Sequence, residues 1–190
     1  MKQIPTLETA RLLLRPFCLD DAADVQRLAG DWAIADTTLN LPHPYPDGAA
    51  EEWISSHQEK FDRGEALVFA IERKADSILA GAIGLHQMVP GHQAEMGYWI
   101  GKPYWQQGYC TEAGEGVLNF AFTDLGLVRV HACHFSRNPA SGRVMQKLGM
   151  RHEGTRRQHV EKWGRYEDLE LYGVLREEWE KSRSSLTAMC

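Results

Sequence analysis

A chain of 190 residues, 43% apolar and 25% charged, can bury one real core, and it is expected to fold as one domain over 1–190 with a structured part from about 9 to 180. It has no run of about 18 apolar residues to span a membrane, and its start, MKQIPTLETARLLL, lacks the apolar stretch of a secretory signal. The net charge of −5 conceals an asymmetry: residues 129–165 hold nine Lys/Arg against two Asp/Glu, and the remainder 12 against 24. That split suits either a basic segment that meets an anion or two solvated faces of opposite sign. Cys18, Cys110, Cys133 and Cys190 show no CxxC spacing. Reduced thiols, a cytoplasmic location and no metal site are therefore expected.

In chain order, Arg11–Pro16 reads as a strand stopped by its proline. Asp20 or Asp21 is placed to cap a helix whose apolar side is Ala22, Val25, Leu28 and Ala29. Trp32–Pro46 reads as a loop with three prolines, either lining a binding site or packed on the core. A helix from Asp47 or Gly48 to Gly64 follows, with Ala50, Trp53, Ile54, His57 and Phe61 on one side. His57 within that stripe is expected to be packed and hydrogen-bonded. The runs 67–72, 78–85 and 94–100 are strands on short turns, hence antiparallel.

Tyr104-Trp105-Gln106-Gln107-Gly108-Tyr109-Cys110-Thr111 then joins a strand to a helix over 111–125. A glycine-bearing turn at a helix start leaves backbone N–H groups free beside the positive end of the helix dipole, which makes an anion site. The run 128–135 is a strand. Asn138 caps a helix with Pro139 at its first position and Gly149 at its end. Two more strands, 150–157 and 166–175, are joined by a polar loop. A short helix over 176–182 precedes a frayed tail, 184–190. This order gives an α+β fold around a mixed, largely antiparallel sheet. His131 and His134 point to opposite faces of their strand, which argues against a metal pair.

Four stretches, in order, carry a family likeness: Thr9-Ala10-Arg11-Leu12-Leu13-Leu14-Arg15-Pro16; Ala94-Glu95-Met96-Gly97-Tyr98-Trp99-Ile100; Tyr104 through Ala113; and Asn138-Pro139-Ala140-Ser141 through Met150. They resemble the GNAT acetyltransferases, and among these the RimJ/RimL-like ribosomal-protein N-terminal acetyltransferases. The resemblance implies that acetyl-CoA enters between two parallel strands that splay apart, 94–100 and 128–135. The family's Gln/Arg-x-x-Gly-x-Gly/Ala signature aligns on Trp105 to Cys110. It implies that amides of Gln106, Gln107, Gly108, Tyr109, Cys110 and Thr111 hold the pyrophosphate, and that amides of Trp99, Ile100 and Gly101 pair with the pantetheine arm. Asn138 would bond the pantetheine or groups near the sulfur. Arg137, Arg143 and Lys147 are the basic residues considered for the 3′-phosphate of CoA.

The resemblance further implies direct attack of an amine on the thioester. Glu95 is the base acting through water, or an anchor for the cationic amine. The tyrosine that serves as acid in many relatives is replaced by Met145, and Ser141 resembles the serine assigned to protonate the thiolate, with Tyr98, Tyr104 and Tyr109 as further candidates. Trp105 and Cys110 depart from the signature. A thiol at a helix start can have a lowered pKa, which raises an acyl-cysteine route as the lesser alternative. The expected acceptor is a protein N-terminus such as that of a ribosomal protein. A small amine acceptor, or an acyl-CoA sensor without catalysis, is the alternative. No DNA or membrane partner is expected, and a homodimer is left open.

Overall fold

The computed structural model describes residues 3–187. Its elements are β1 (Leu7–Glu8), β2 (Leu12–Arg15), α1 (Ala22–Ala29), α2 (Trp32–Ala35), α3 (Ala49–Asp62), β3 (Leu67–Arg73), β4 (Leu79–Val89), β5 (Gln93–Ile100), α4 (Tyr109–Thr123), β6 (Arg129–Phe135), α5 (Pro139–Lys147), β7 (Arg151–Lys162), β8 (Arg165–Leu175) and α6 (Arg176–Thr187). The strands form one sheet in the order β1-β2-β3-β4-β5-β6-β8-β7.

Every neighbouring pair is antiparallel except β5 and β6, between which α4 crosses over; hairpin turns join β3 to β4, β4 to β5 and β7 to β8, while α1–α3 separate β2 from β3, and α5 and β7 separate β6 from β8. That parallel pair has three rungs, Gln93 to Arg129, Ala94 to Val130 and Glu95 to His131. Beyond them β5 stays paired with β4 as far as Ile100, and β6 stays paired with β8 as far as Phe135. Each strand thus follows its outer neighbour, and the sheet forks after Glu95 and His131.

Period-2 burial on β5 sends Ala94 and Met96 into a core with Val117 and Leu118 of α4, Met145 of α5 and the adjoining Leu148. Gly114 makes that packing close: a Cβ there would lie 2.6 Å from a Leu148 methyl. A second cluster on the opposite face joins Val25 and Leu28 of α1 to Ile54 of α3, Ala70 and Leu79, with Trp99 against it. Helices α1 and α3 therefore wall one side of the fork, and α4 and α5 the other.

Several expectations are corrected. The loop 32–46 opens with the single-turn α2, capped by the Asp31 side chain on the Ala33 N–H at 2.8 Å. Asp21 does not cap α1; its carboxylate instead accepts two 2.8 Å bonds from Arg15 and one from the Cys18 N–H. The strand starting at 151 continues to Lys162, so the expected polar loop is a hairpin arm closed at Trp163 and Gly164, with φ of 53° and 71°. Helix α4 begins at Tyr109 rather than Thr111. The terminal helix runs on through 184–187, where a frayed tail was expected; residues 188–190 lie outside the described residues. Among the described residues no helix is long and apolar enough to cross a membrane.

Candidate active site

The hydrogen-bond parity of the strands decides what the fork offers. The Gly101 N–H bonds the Ala80 carbonyl at 2.8 Å, so the backbone groups of Gly101, Trp99 and Gly97 face β4. Met96, Tyr98 and Ile100 therefore present theirs to the open side. On β6, the Ser136 N–H bonds the Asp168 carbonyl at 2.9 Å, which by the same alternation turns Cys133 and Phe135 toward β5. Of the expected Trp99–Gly101 trio, only Ile100 directs an N–H into the fork, and Tyr98 joins it. These parted edges fit an amide-bearing arm that would pair with both strands.

At the wide end of the fork, Gln106 and Gly108 take left-handed φ of 61° and 78° and turn the chain into α4. The first intrahelical bond runs from the Glu112 N–H to the Gly108 carbonyl at 3.0 Å. The N–H groups of Tyr109, Cys110 and Thr111 are thus left without a helical partner. Such a cradle fits a diphosphate by donor geometry and dipole. Trp105 acts as a tie instead. Its indole N–H bonds the Ile100 carbonyl at 2.6 Å and fastens the turn to the end of β5.

A negative charge at Glu112, in the first turn, would compete with that anion, but its carboxylate is drawn aside. It accepts from the Thr9 hydroxyl at 2.6 Å, the Arg11 N–H at 2.7 Å and the Arg11 Nε at 2.6 Å. Arg11 also bonds the Gln107 carbonyl at 3.0 Å and lies over the Tyr109 ring at 4.9 Å. The β1–β2 connection thereby clamps the turn. The three acceptor bonds and the Arg11 charge hold the Glu112 carboxyl below its ordinary value despite the opposing effect of burial.

Arg11 and Arg73 both pack on rings of the turn, the Arg73 guanidinium 5.4 Å from the Tyr104 ring centre. Arg137, considered for the 3′-phosphate, is instead committed to Glu167 and Asp36, each at 2.8 Å. Arg143 and Lys147 are exposed on α5.

Glu95 lies at the fork itself, on the face of α1 and α3. Register places His86 of β4 on one side of it and His131 of β6 on the other. Among the described residues, its one side-chain hydrogen bond is from the Cys133 thiol at 3.4 Å. Gly97, two residues along the same face, is where the His86 ring leans over β5: a Cβ there would lie 3.2 Å from it. Burial lowers the pKa of both His86 and His131, with Glu95 opposing, so both rings are neutral near pH 7. Burial first, and then Glu95, push the Cys133 thiol up to about 12.

The opposite face carries the hydroxyls. Tyr98 Oη lies 2.9 Å from Ser141 Oγ and donates to the Ser141 carbonyl at 3.1 Å. Burial pushes the Tyr98 phenol far up, so it stays protonated. Asn138 stands at the start of α5 but its side chain makes no capping bond, contrary to the sequence expectation; its own N–H bonds the Phe135 carbonyl at 2.7 Å. Cys110 is half-buried, and burial pushes its thiol up, not down. That direction opposes an acyl-cysteine and leaves the site needing only a small side chain.

His131 and His134 do lie on opposite faces: His134 packs on the Tyr172 ring and bonds the Phe135 carbonyl. Among the described residues no three metal-ligating side chains converge. His57 is packed between Phe17 and Trp53 as expected, but neither ring nitrogen has a partner, so the expected hydrogen bonds are absent. Sequence reasoning missed His86, Gly97 and the Arg11–Glu112 clamp. The spacing of His86 in a strand facing Glu95 was the one signal present.

The acetyltransferase (GNAT) domain model matches residues 11–151. The chain is similar to YdaF of Bacillus subtilis (strain 168), whose name gives it a provisional ribosomal N-acetyltransferase role, with 36% identity over 156 residues covering 82% of each chain. It is also similar to the uncharacterised N-acetyltransferase YoaA of the same organism, with 30% identity over 173 residues covering 90% of this chain and 97% of that one. Among solved structures, RimJ of Mycobacterium smegmatis in complex with CoA-disulfide superposes with a TM-score of 0.82, covering 92% of this chain and 89% of that one, at 24% identity, a likeness of fold. A sheet that forks after one carboxylate, an anion cradle at its wide end and these relatives lead to one conclusion: the chain belongs to the GNAT acetyltransferase family and is an N-acetyltransferase.

Proposed function

We propose that the protein transfers the acetyl group of acetyl-CoA directly to the α-amine of a protein N-terminus, of the ribosomal-protein class. The observation that carries this reading is the position of Glu95, a carboxylate at the last rung before β5 and β6 part, with only a weak thiol donor on it. The provisional ribosomal role in the name of YdaF supports the choice of acceptor.

In this reading acetyl-CoA supplies the thioester, with its diphosphate on the amides of residues 106–111 and its arm between the parted strands. Glu95 takes the proton of the incoming amine through a water. The Tyr98 N–H, turned into the fork, stabilises the oxyanion. As nitrogen bonds the carbonyl carbon and the C–S bond breaks, the departing thiolate takes a proton from the Ser141 hydroxyl. Tyr98, whose Oη lies 2.9 Å from Ser141 Oγ, orients that hydroxyl, and solvent restores the Ser141 proton. A thiol-release assay with acetyl-CoA against N-terminal peptides and small amines tests the reading. Turnover is expected with peptides; turnover confined to small amines would replace the acceptor, and tight CoA binding with no turnover of any amine would overturn the enzymatic mechanism.

A further inference from the structure

Several charges on the Glu95 face of the sheet are closed by partners. Glu153 is held by Arg129 through two 2.5 Å bonds. Glu167 and Asp36 are held by Arg137. The Lys162 ammonium donates to the carbonyls of Leu39 and Leu41 at 3.0 and 2.7 Å. Among the described residues, Glu95 at the fork and Arg156 on the edge strand β7 have no ion-pair partner.

Arg156 pairs with Leu169, which pairs with Phe135, and paired positions share a face. Arg156 is therefore on the side of Cys133, His131 and Glu95, and its charge acts on both His131 and Cys133, as that of Glu95 does. A bulge sets it there. Between Arg156 and Val160 β7 takes four steps while β8 takes two, and Gln158 adopts a φ of 47° with its N–H on the Asp168 carboxylate at 2.7 Å. Bulges of this kind re-aim a side chain. Among the described residues the polar contact of the Arg156 side chain is His159, at a long 3.3 Å. Gly154, on the neighbouring rung opposite Leu171, raises no side chain between Arg156 and the fork.

We propose that Arg156 is a specificity residue for the acceptor, receiving an acidic side chain of the peptide whose amine Glu95 engages. The inference rests on the α-amine reading above and narrows it to N-termini with an Asp or Glu close to the first residue. Three strand spacings of about 4.8 Å, with the four residues (about 13 Å) by which the Phe135 rung of Arg156 lies beyond the His131 rung of Glu95, put the two backbone positions about 20 Å apart. The Glu95 and Arg156 side chains shorten that gap. An extended peptide rising about 3.3 Å per residue then spans it within roughly its first four residues.

The test is thiol release by the full chain at saturating acetyl-CoA, with peptides that differ only in carrying Glu, Gln or Lys at positions two to four. The wild type is expected to rank Glu above Gln above Lys, with about three- to tenfold in kcat/KM between the extremes at the best position, as suits a partly exposed charged contact. Arg156→Gln should level the series and Arg156→Glu invert it, with the KM for acetyl-CoA unmoved. A wild type that acetylates all peptides alike, or the same ranking in all three proteins, overturns this inference and leaves the α-amine reading standing. A wild type that turns over none of the peptides overturns both.

Discussion

Glu95 and His131 face each other across the last rung that joins β5 to β6, and one residue later the strands part. A carboxylate there reaches the fork without leaving the sheet, and the neutral imidazoles of His131 and His86 flank it without a competing charge. Glu95→Gln is expected to lower kcat by ~100-fold, within the range of a lost general base. The deficit should shrink as pH rises and the amine arrives already neutral. A pH–rate profile checks this; a loss confined to acceptor KM at every pH would reduce Glu95 to an anchor.

Gly97 leaves room for the His86 ring beside Glu95, with 3.2 Å to a Cβ that is absent. Gly97→Ala should displace the ring and lower kcat several-fold with little change in KM for acetyl-CoA. Pairing it with His86→Ala should remove most of that added penalty, because the displaced ring is gone. Steady-state kinetics of the two single variants and the double variant would show whether the coupling exists.

Cys110 offers a check on direct transfer. Its burial raises the thiol, and a neutral thiol is a poor nucleophile. Cys110→Ala should retain kcat within about twofold of the wild type, since the site asks only for a small side chain. Peptide mapping after alkylation should find the exposed Cys18 labelled well before Cys110. An acetylated Cys110 peptide trapped by acid quench would contradict the mechanism.

His57 makes stability depend on pH. Burial holds its folded pKa to about 4 against an ordinary 6.5, so below pH 6.5 the unfolded chain binds a proton that the folded chain does not. Stability is complete above that value and falls as pH drops toward 4. Replacing His57 by Leu should abolish this contribution: the stability difference between variant and wild type should shift by about 2 kcal/mol in favour of the variant from pH 7 to pH 5. Urea midpoints at the two pH values measure it, and an unchanged difference would contradict the assignment.

Much of this fold is legible in the sequence because it follows period. Alternation along 94–100 and the helical stripe of Val117 and Ala121 each announce a half-buried element. The β7 extension was missed for the converse reason: an edge strand exposed on both faces, such as Arg156–Val160, has no apolar period to read. Helix α2 is one turn long, too short for a period. In the site, the turn at Gly108 shows its conformational need in its residue type, whereas the Arg11–Glu112 clamp joins residues 101 apart and leaves no local trace. The same limit hid the commitment of Arg137, a basic residue in a basic segment whose partners come from the end of α2 and from β8. The asymmetry of charge was visible; which charges pair was a matter of tertiary geometry.

The clamp predicts its own consequence. Glu112→Ala removes the acceptor of three bonds that hold the turn, and the KM for acetyl-CoA should rise by about tenfold with kcat held. Gly108→Ala places a Cβ at φ +78°, a cost of roughly 1–2 kcal/mol, and should raise the same KM. A fall in kcat with KM unmoved would place the effect elsewhere.

Amide hydrogen exchange read by mass spectrometry, with and without CoA, is the sharpest check on a cofactor site between parted strands. With CoA bound, slowing should concentrate in segments containing residues 98–100, 106–111 and 133–135, which carry the Tyr98, Ile100, Cys133 and Phe135 amides turned into the fork and the unpartnered amides of the helix start. Unchanged exchange there, with protection on the β1–β3 side of the sheet or in the β7–β8 hairpin, would refute a site in the fork.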